Sequence, residues 1–277
     1  MGLRINQNIA ALNAHRNLSI TDNQMGKSLE KLSSGFRINR AADDAAGLAI
    51  SEGLRSQVGG LKVAVRNAQD GVSVVQTAEG ALTEVHSILQ RVRDLTVQAG
   101  NTGVVDSKAR GYIAKEVTEL AGALTDIASR TDFNGTKLLN GSASSLSFQT
   151  GANGGETVTV ELSNVTTVDT AVSNVATGMA ASGTYTASAA LSSIDTQIQT
   201  VSESRATLGA KQNRFESTIN SLNVSIENLS ASESRVRDAD MAQEMVGFTR
   251  AQILSQAGTA MLAQANQASQ GVLSLLR

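Results

Sequence analysis

The sequence of 277 residues contains no cysteine, no proline and no tryptophan, and only two histidines. Without thiols the chain can form neither a disulfide nor a thiolate metal site, and a cysteine nucleophile is excluded. His15 and His86 are too few and too isolated for a zinc site or a histidine relay. Because proline is the strongest helix breaker, its absence leaves every segment free to be helical.

Aromatic residues and charge are also scarce. Five Phe and two Tyr cannot build the platforms on which bases or sugars stack. The 23 basic and 25 acidic residues nearly cancel, and no block of like charge would attract nucleic acid. No nucleophile–base pair, phosphate loop or metal-ligand spacing stands out, and no apolar run suits a signal peptide or a membrane span. We therefore expect no enzyme activity, no cofactor, no nucleic-acid partner and no membrane insertion.

A heptad pattern in the last third of the chain is the clearest structural signal. Apolar residues recur at alternating steps of three and four from Leu191 to Leu229, and ten of the twelve positions are apolar. This spacing predicts one long helix with a coiled-coil seam. The residues chosen as the seam of this rod are Leu208, Phe215, Ile219, Leu222, Ile226 and Leu229.

Two further segments, from Leu54 to Val92 and from Ile113 to Ile127, share this rhythm. We expect 54–92 to pack antiparallel against 191–229, which brings both ends of the chain to the same end of one bundle. The predicted fold is mainly α: an elongated antiparallel coiled-coil or helical bundle with a small β-hairpin insert. Its terminal helices are expected to pair into an inner core.

The centre of the chain has a different pattern. Turn-forming pairs occur at Asn134-Gly135 and Asn140-Gly141, and apolar residues then alternate with polar ones over 146–150 and 158–162. This alternation predicts a β-hairpin. Residues 163–190 are rich in Ser, Thr, Ala and Gly and have weak periodicity. We expect them to form a surface connection, with room for one more short strand.

The two ends of the chain carry the functional signal. No side chain from Ala251 to Leu276 is charged, whereas a helix exposed on all sides normally carries charge. We expect this segment to be buried against the chain itself or against copies of it. Each end is a weak amphipathic helix that should be disordered or frayed in the monomer and should order on association. The candidate contact residues of this inner core are Ile5, Ile9, Leu12, Leu254, Met261, Leu262, Leu273 and Leu276.

Several long runs of the sequence are specific enough to identify a family. They are LRINQNIAALNA at 3–14, LEKLSSGFRINRAADDAAGLAI at 29–50, NLSASESRVRDADMA at 228–242 and VLSLLR at 272–277. In this order they resemble bacterial flagellins over the first half and the last third of the chain. The centre resembles a short form of the family, because larger members carry extensive outer domains there.

The resemblance implies a structural role in motility. A flagellin polymerises, alone or with other flagellins, into the extracellular filament of the bacterial flagellum. It would be bound by an export chaperone at its C-terminal segment, leave the cell unfolded through the flagellar type III exporter, and assemble at the distal tip beside cap and junction proteins. The implied domains are the inner, polymerising core at 1–43 and 237–277, the outer rod at 44–132 and 188–236, and a variable surface insert at 133–187.

One helical run resembles the patch by which Toll-like innate receptors recognise flagellins. The run QRVRDLTV at 90–97, with an acidic residue on the next predicted helix, places Arg91, Leu95 and Glu116 at matching positions. In a filament this patch would lie between subunits, so the resemblance implies a polymerisation surface first and a host-receptor contact second.

Two other functions remain open. A hook–filament junction protein would share the terminal helices of flagellins without forming long homopolymers. A cytoplasmic coiled-coil scaffold would share only the heptads.

Overall fold

The computed structural model describes residues 7–101, 103–181 and 186–275, with side chains as far as residue 267. Helices dominate these ranges, and the strands form two short hairpins. None of the described helices combines the length and hydropathy that a membrane crossing requires. The elements in chain order are α1 (Ile9–Ser34), α2 (Ala45–Ala99), α3 (Ser107–Arg130), β1 (Asp132–Phe133), β2 (Thr136–Lys137), β3 (Ser145–Gln149), β4 (Thr157–Glu161), α4 (Val165–Ala180), α5 (Ala187–Arg237) and α6 (Met241–Leu275).

Short polar side chains and glycine set the helix ends. The Asp44 carboxylate accepts a hydrogen bond from the backbone N–H of Gly47 at 2.8 Å, just before α2. Asp106 caps α3 in the same way, accepting from the N–H of Ala109 at 2.7 Å. These bonds satisfy backbone donors that have no partner within the helix. Helix α1 ends at Gly35, whose φ of 75° is the left-handed conformation that glycine adopts without strain.

The chain divides into two units, one made of Met1–Val58 and Glu227–Arg277 and the other of Gly59–Ile226. In the first unit, the link from α1 to α2 runs beside the link from α5 to α6. Phe36 and Asp238 form an isolated antiparallel bridge, and the N–H of Ala239 donates to the carbonyl of Gly35 at 2.9 Å.

In the second unit, α2 and α5 run antiparallel. The guanidinium Nε of Arg93 donates to Asp195 at 2.7 Å, whereas farther along α5 the ring of Phe215 lies against Gly71. Positions late in α2 thus meet positions early in α5, and earlier positions in α2 meet later ones. The antiparallel packing predicted from the heptads is therefore confirmed.

One hydrophobic core fills the second unit. It combines apolar side chains of α2, α3, α4 and α5 with those of the β3–β4 hairpin. The predicted fold class, a mainly helical bundle with a small β insert, is confirmed. Fully enclosed core residues include Val75, Leu82, Val85, Leu89, Leu124, Val160, Val172, Ile194 and Phe215.

Both hairpins follow the sequence signals. Asn134 and Gly135 have φ angles of 49° and 80°, which close the turn between β1 and β2 in the conformation that Asn-Gly pairs favour. The predicted hairpin over 146–150 and 158–162 forms from β3 and β4, which pair antiparallel with Phe148 opposite Val158. Alternate residues of β4, including Val158, face the core, as the alternation predicts.

The interpretation of 163–190 as a surface connection with room for a strand was wrong. Residues 165–180 form α4, which packs on α3 and contributes to the core. The frequent Ser, Thr and Gly residues lower the helix propensity of this segment and make the helical spacing of its apolar residues hard to recognise. Tertiary packing nevertheless outweighs propensity here. The buried residues recur at helical spacing, at Val165, Val168, Val172, Val175, Ala176 and Met179.

Candidate functional site

The candidate site is the pair of terminal helices, α1 and α6, which pack against each other within the first unit. Near one end of the pair, the Lys31 ammonium lies 3.0 Å from Glu244. Toward the other end, the Asn8 side chain donates to the carbonyl of Ala265 at 2.9 Å. The residue numbers change in opposite directions, so the helices are antiparallel.

Within the described residues, the two ends form α1 and α6, which pack on each other. The expected disorder or fraying of these ends in the free monomer stays a prediction. Residues at spacings of three and four form the buried side of each helix, and the small ones among them let the two backbones approach closely. At Gly258, for example, an added Cβ would lie 3.2 Å from Cδ1 of Leu18. The buried and half-buried residues of this terminal seam are Ala11, Ala14, Leu18, Thr21, Met25, Ser28 and Leu32 on α1, and Glu244, Phe248, Ala251, Ser255, Gly258, Leu262 and Ala265 on α6.

Other large apolar side chains of the same helices remain exposed, because they lie outside the seam. Several belong to the charge-free segment that begins at Ala251. We call this set the terminal apolar surface. It consists of Ile9, Leu12, Ile20 and Leu29 on α1, and Met241, Met245, Val246, Ile253, Leu254 and Met261 on α6. Isolated exposed apolar residues are ordinary, whereas ten on one pair of helices exceed the usual scatter.

The predicted inner-core residues divide between the two sides of this pair. Four of them, Ile9, Leu12, Leu254 and Met261, lie on the terminal apolar surface and not in the seam. Leu262 is half-buried in the seam. Ile5 and Leu276 lie outside the described residues, as does the side chain of Leu273.

The predicted rod-seam residues all lie on the covered side of α5. Leu208 and Phe215 are fully buried. The remaining four, Ile219, Leu222, Ile226 and Leu229, are half-buried. Burial thus weakens along α5 after Phe215.

The predicted receptor patch is split between surface and core. The guanidinium Nε of Arg91 donates to Glu116 at 3.0 Å, and both side chains are exposed. Leu95 is only 2% exposed and belongs to the core. The structure therefore joins Arg91 and Glu116 across α2 and α3, and it places Leu95 beneath the surface. In the same run, Arg93 pairs with α5, and the hydrogen bond to Asp195 raises the pKa of its guanidinium.

Sequence reasoning missed the small residues of the terminal seam. The contact residues were predicted from the large apolar side chains at the two ends. The smaller Ala251, Ser255 and Gly258 also have the spacing of four and three that places them on one helix face. Small residues at this spacing are a usable signal for close helix packing, but they carry little hydrophobic contrast. Among the described side chains, no group of three metal-ligating residues lies close enough to hold a metal ion. The main interaction that the terminal helices offer is thus burial of their apolar side chains.

Comparison with known families agrees with this architecture. The family described as the bacterial flagellin N-terminal helical region matches residues 5–144. The bacterial flagellin C-terminal helical region matches residues 191–276. The unmatched centre, 145–190, contains β3, β4 and all of α4, and both families are defined by the helices around it.

Relatives match along the whole chain. A flagellin of Halalkalibacterium halodurans is 52% identical over 276 residues, covering 99% of both chains. A flagellin of Bacillus subtilis is 49% identical over 305 residues, covering 99% of this chain and 100% of its own length. The flagellar filament 33 kDa core protein of Treponema phagedenis is 45% identical over 285 residues, covering 99% of both chains.

Proposed function

The chain belongs to the bacterial flagellin family and is a structural subunit of the flagellar filament, and we propose that its copies polymerise through the terminal apolar surface. The polymer is the extracellular filament that drives swimming. Its main partner is therefore a second copy of the same chain, and other flagellins of the cell are further partners. We assign the chain no enzymatic activity and no cofactor.

The observation behind this proposal is that each terminal helix has one side packed within the chain and also exposes large apolar side chains. Small and large residues of the seam, such as Ala251 and Phe248, make the contact within the chain, whereas other large residues such as Ile253 and Leu254 stay exposed. Burial of apolar area contributes about 25 cal/mol per Å², so covering these side chains favours association. A contact between different faces of identical subunits need not close on itself, and it then generates a helical filament.

The domain roles follow from the same surface. We assign 1–43 and 237–277 to the inner, polymerising core, and 44–132 and 188–236 to the outer rod. The insert at 133–187 is assigned to the same body as the rod, because its hairpin β3–β4 and helix α4 contribute to the core of the second unit. The apolar residues of α6 also suit an export chaperone, which would cover them before the unfolded chain enters the type III exporter. Assembly would then occur at the distal tip, in contact with cap and junction proteins.

The exposed Arg91–Glu116 pair is assigned to contacts between rods. An exposed ion pair contributes little to the stability of one chain. We therefore assign its charged groups a role in contacts with a neighbouring subunit. In the free subunit the same pair is open to a Toll-like receptor of a host. Leu95 would support this patch from the core by fixing the position of α2.

Seeded elongation tests the proposal. Purified chain is added to short filament fragments, and growth is followed by light scattering and electron microscopy. The double variant Ile253→Ser, Leu254→Ser replaces two exposed apolar residues with polar ones. It should lower the elongation rate about tenfold or more, because apolar contacts at an interface centre dominate its affinity. Both side chains are exposed in the single chain, so the melting temperature should stay unchanged.

A matched variant controls for polar substitution in α6. The double change Gln252→Ser with Gln256→Ser alters two exposed positions of the same helix. It should elongate several times faster than the apolar variant. Equal elongation by the two variants would contradict the proposed surface. If the unmodified chain failed to elongate any filament fragment, the result would contradict the filament-subunit function and favour the junction-protein function.

A further inference from the structure

The exposed methionines are concentrated on one helix. The chain has six methionines. Met241, Met245 and Met261 are 46%, 52% and 60% exposed, and all three belong to α6, whereas Met179 in the core is 1% exposed. Met25 is half-buried in the terminal seam. Among the described residues, three exposed methionine side chains thus lie on α6, which carries part of the terminal apolar surface.

These side chains are also the most oxidisable ones that the chain presents. Cysteine and tryptophan, the other readily oxidised residues, are absent. Met245 lines an open apolar groove of about 500 Å³ together with Val246, Ile253 and Leu254. An oxidant in solution that reaches this groove therefore meets Met245 beside Ile253 and Leu254, on the surface assigned to polymerisation.

We propose that Met241, Met245 and Met261 are sites of reversible oxidation by peroxides, and that their sulfoxides prevent the free subunit from joining the filament. The sulfur lone pair attacks one peroxide oxygen, so an S–O bond forms and the O–O bond breaks. The leaving hydroxide takes up a proton and becomes water, while the sulfur loses two electrons to the peroxide. A thiol-dependent sulfoxide reductase reverses the change, oxidising two thiols to a disulfide and releasing the oxygen as water.

The effect on assembly follows from polarity. Methionine is a flexible apolar residue that adapts well to apolar interfaces, whereas its sulfoxide is polar. A polar group that is buried without a hydrogen-bond partner opposes burial. This inference depends on the proposed function, because it requires the terminal apolar surface to become buried between subunits. It also predicts that an assembled filament protects the same three sulfurs.

Peroxide treatment followed by mass spectrometry tests the sites. Hydrogen peroxide is added to the purified full-length chain, and the oxygen added to each methionine is measured on peptides over time. Met241, Met245 and Met261 should be oxidised at least tenfold faster than Met179, and at least tenfold more slowly in preformed filaments than in the free chain. Equal rates at all methionines, or equal rates in both states, would overturn the proposal.

Seeded elongation before and after peroxide tests the consequence. Oxidised chain should elongate fragments at least tenfold more slowly than the same untreated preparation. Methionine sulfoxide reductase with dithiothreitol should restore the rate. The triple variant Met241→Leu, Met245→Leu, Met261→Leu is measured before and after peroxide. Its elongation rate should be the same in both measurements. The control variant Met179→Leu should lose elongation as the unmodified chain does.

The outcomes separate the two proposals. Undiminished elongation by oxidised chain, or failure of the reductase to restore it, would overturn the methionine switch and leave the filament function intact. Absence of elongation by the untreated, unmodified chain would overturn the filament function itself and the switch with it.

Discussion

Phe215 of α5 lies in the space that a side chain at position 71 of α2 would occupy. A Cβ added to Gly71 would be 2.7 Å from Cζ of the Phe215 ring. The ring is fully buried, and its centre lies 5.7 Å from that of Phe148 in an edge-to-face arrangement. This contact between the two helices therefore depends on the absence of a side chain at position 71 and on a large one at position 215.

Gly71→Ala should lower the stability of the chain. The added methyl group overpacks the contact with Phe215, which typically costs about 1–3 kcal/mol. Thermal unfolding measures the change. Gly80→Ala in the same helix is the matched control, because nothing lies within 4 Å of a Cβ there. That change should raise stability by about 0.5–1 kcal/mol, since alanine favours helices over glycine. Equal shifts for the two variants would contradict the close packing at Gly71.

The two halves of the α5 seam should respond differently to truncation. Leu208 is fully buried and Leu222 only half-buried. Leu208→Ala should cost about 2–5 kcal/mol because it leaves a cavity. Leu222→Ala should cost clearly less, since solvent already reaches that side chain. Chemical denaturation compares the two free energies of unfolding, and an equal or larger loss at Leu222 would refute this difference along the helix.

Gly258→Leu should separate the terminal helices. Its Cβ alone would come within 3.2 Å of Leu18, and a full leucine side chain needs more room than the seam offers. The amides of α6 should then exchange with solvent about tenfold faster or more, as hydrogen-exchange mass spectrometry can measure. Gly26→Leu on α1 is the control, because nothing lies within 4 Å of a Cβ at that position. Unchanged exchange in Gly258→Leu would contradict the proposed seam.

The β3–β4 turn should titrate in acid. The side-chain and backbone amides of Asn153 donate to Glu156 at 3.0 Å each and lower the pKa of its carboxyl below the ordinary value of 4.5. Since the folded pKa is the lower one, the stabilisation is complete above pH 4.5 and is lost as the pH falls through the folded value.

A pH titration of the Asn153 amide signal by NMR measures this step. Its midpoint should lie below 4.5 in the unmodified chain. Glu156→Gln should remove the step, because the carboxamide does not titrate. A midpoint at or above 4.5 would show that the amides of Asn153 do not stabilise the carboxylate.

The heptads of α2 and α5 were sufficient to predict two long helices and their antiparallel packing, and alternation was sufficient for the β3–β4 hairpin. Each of these elements has strong contrast between apolar and polar positions, so its period is visible in the sequence. Helix α4 lacks this contrast, because Thr, Ser and Gly separate its valines. Only contact with α3 and the core decides that those valines are buried.

The sequence by itself determined that both ends of the chain have helical periodicity and that 251–276 carry no charged side chain. Only the tertiary structure decided that small residues such as Ala251 and Gly258 make the contact within the chain, while Ile253 and Leu254 remain exposed. It likewise separated Leu95 in the core from Arg91 on the surface. The physical reason is that periodicity shows which residues share a face of a helix, whereas the neighbouring elements determine which face is covered.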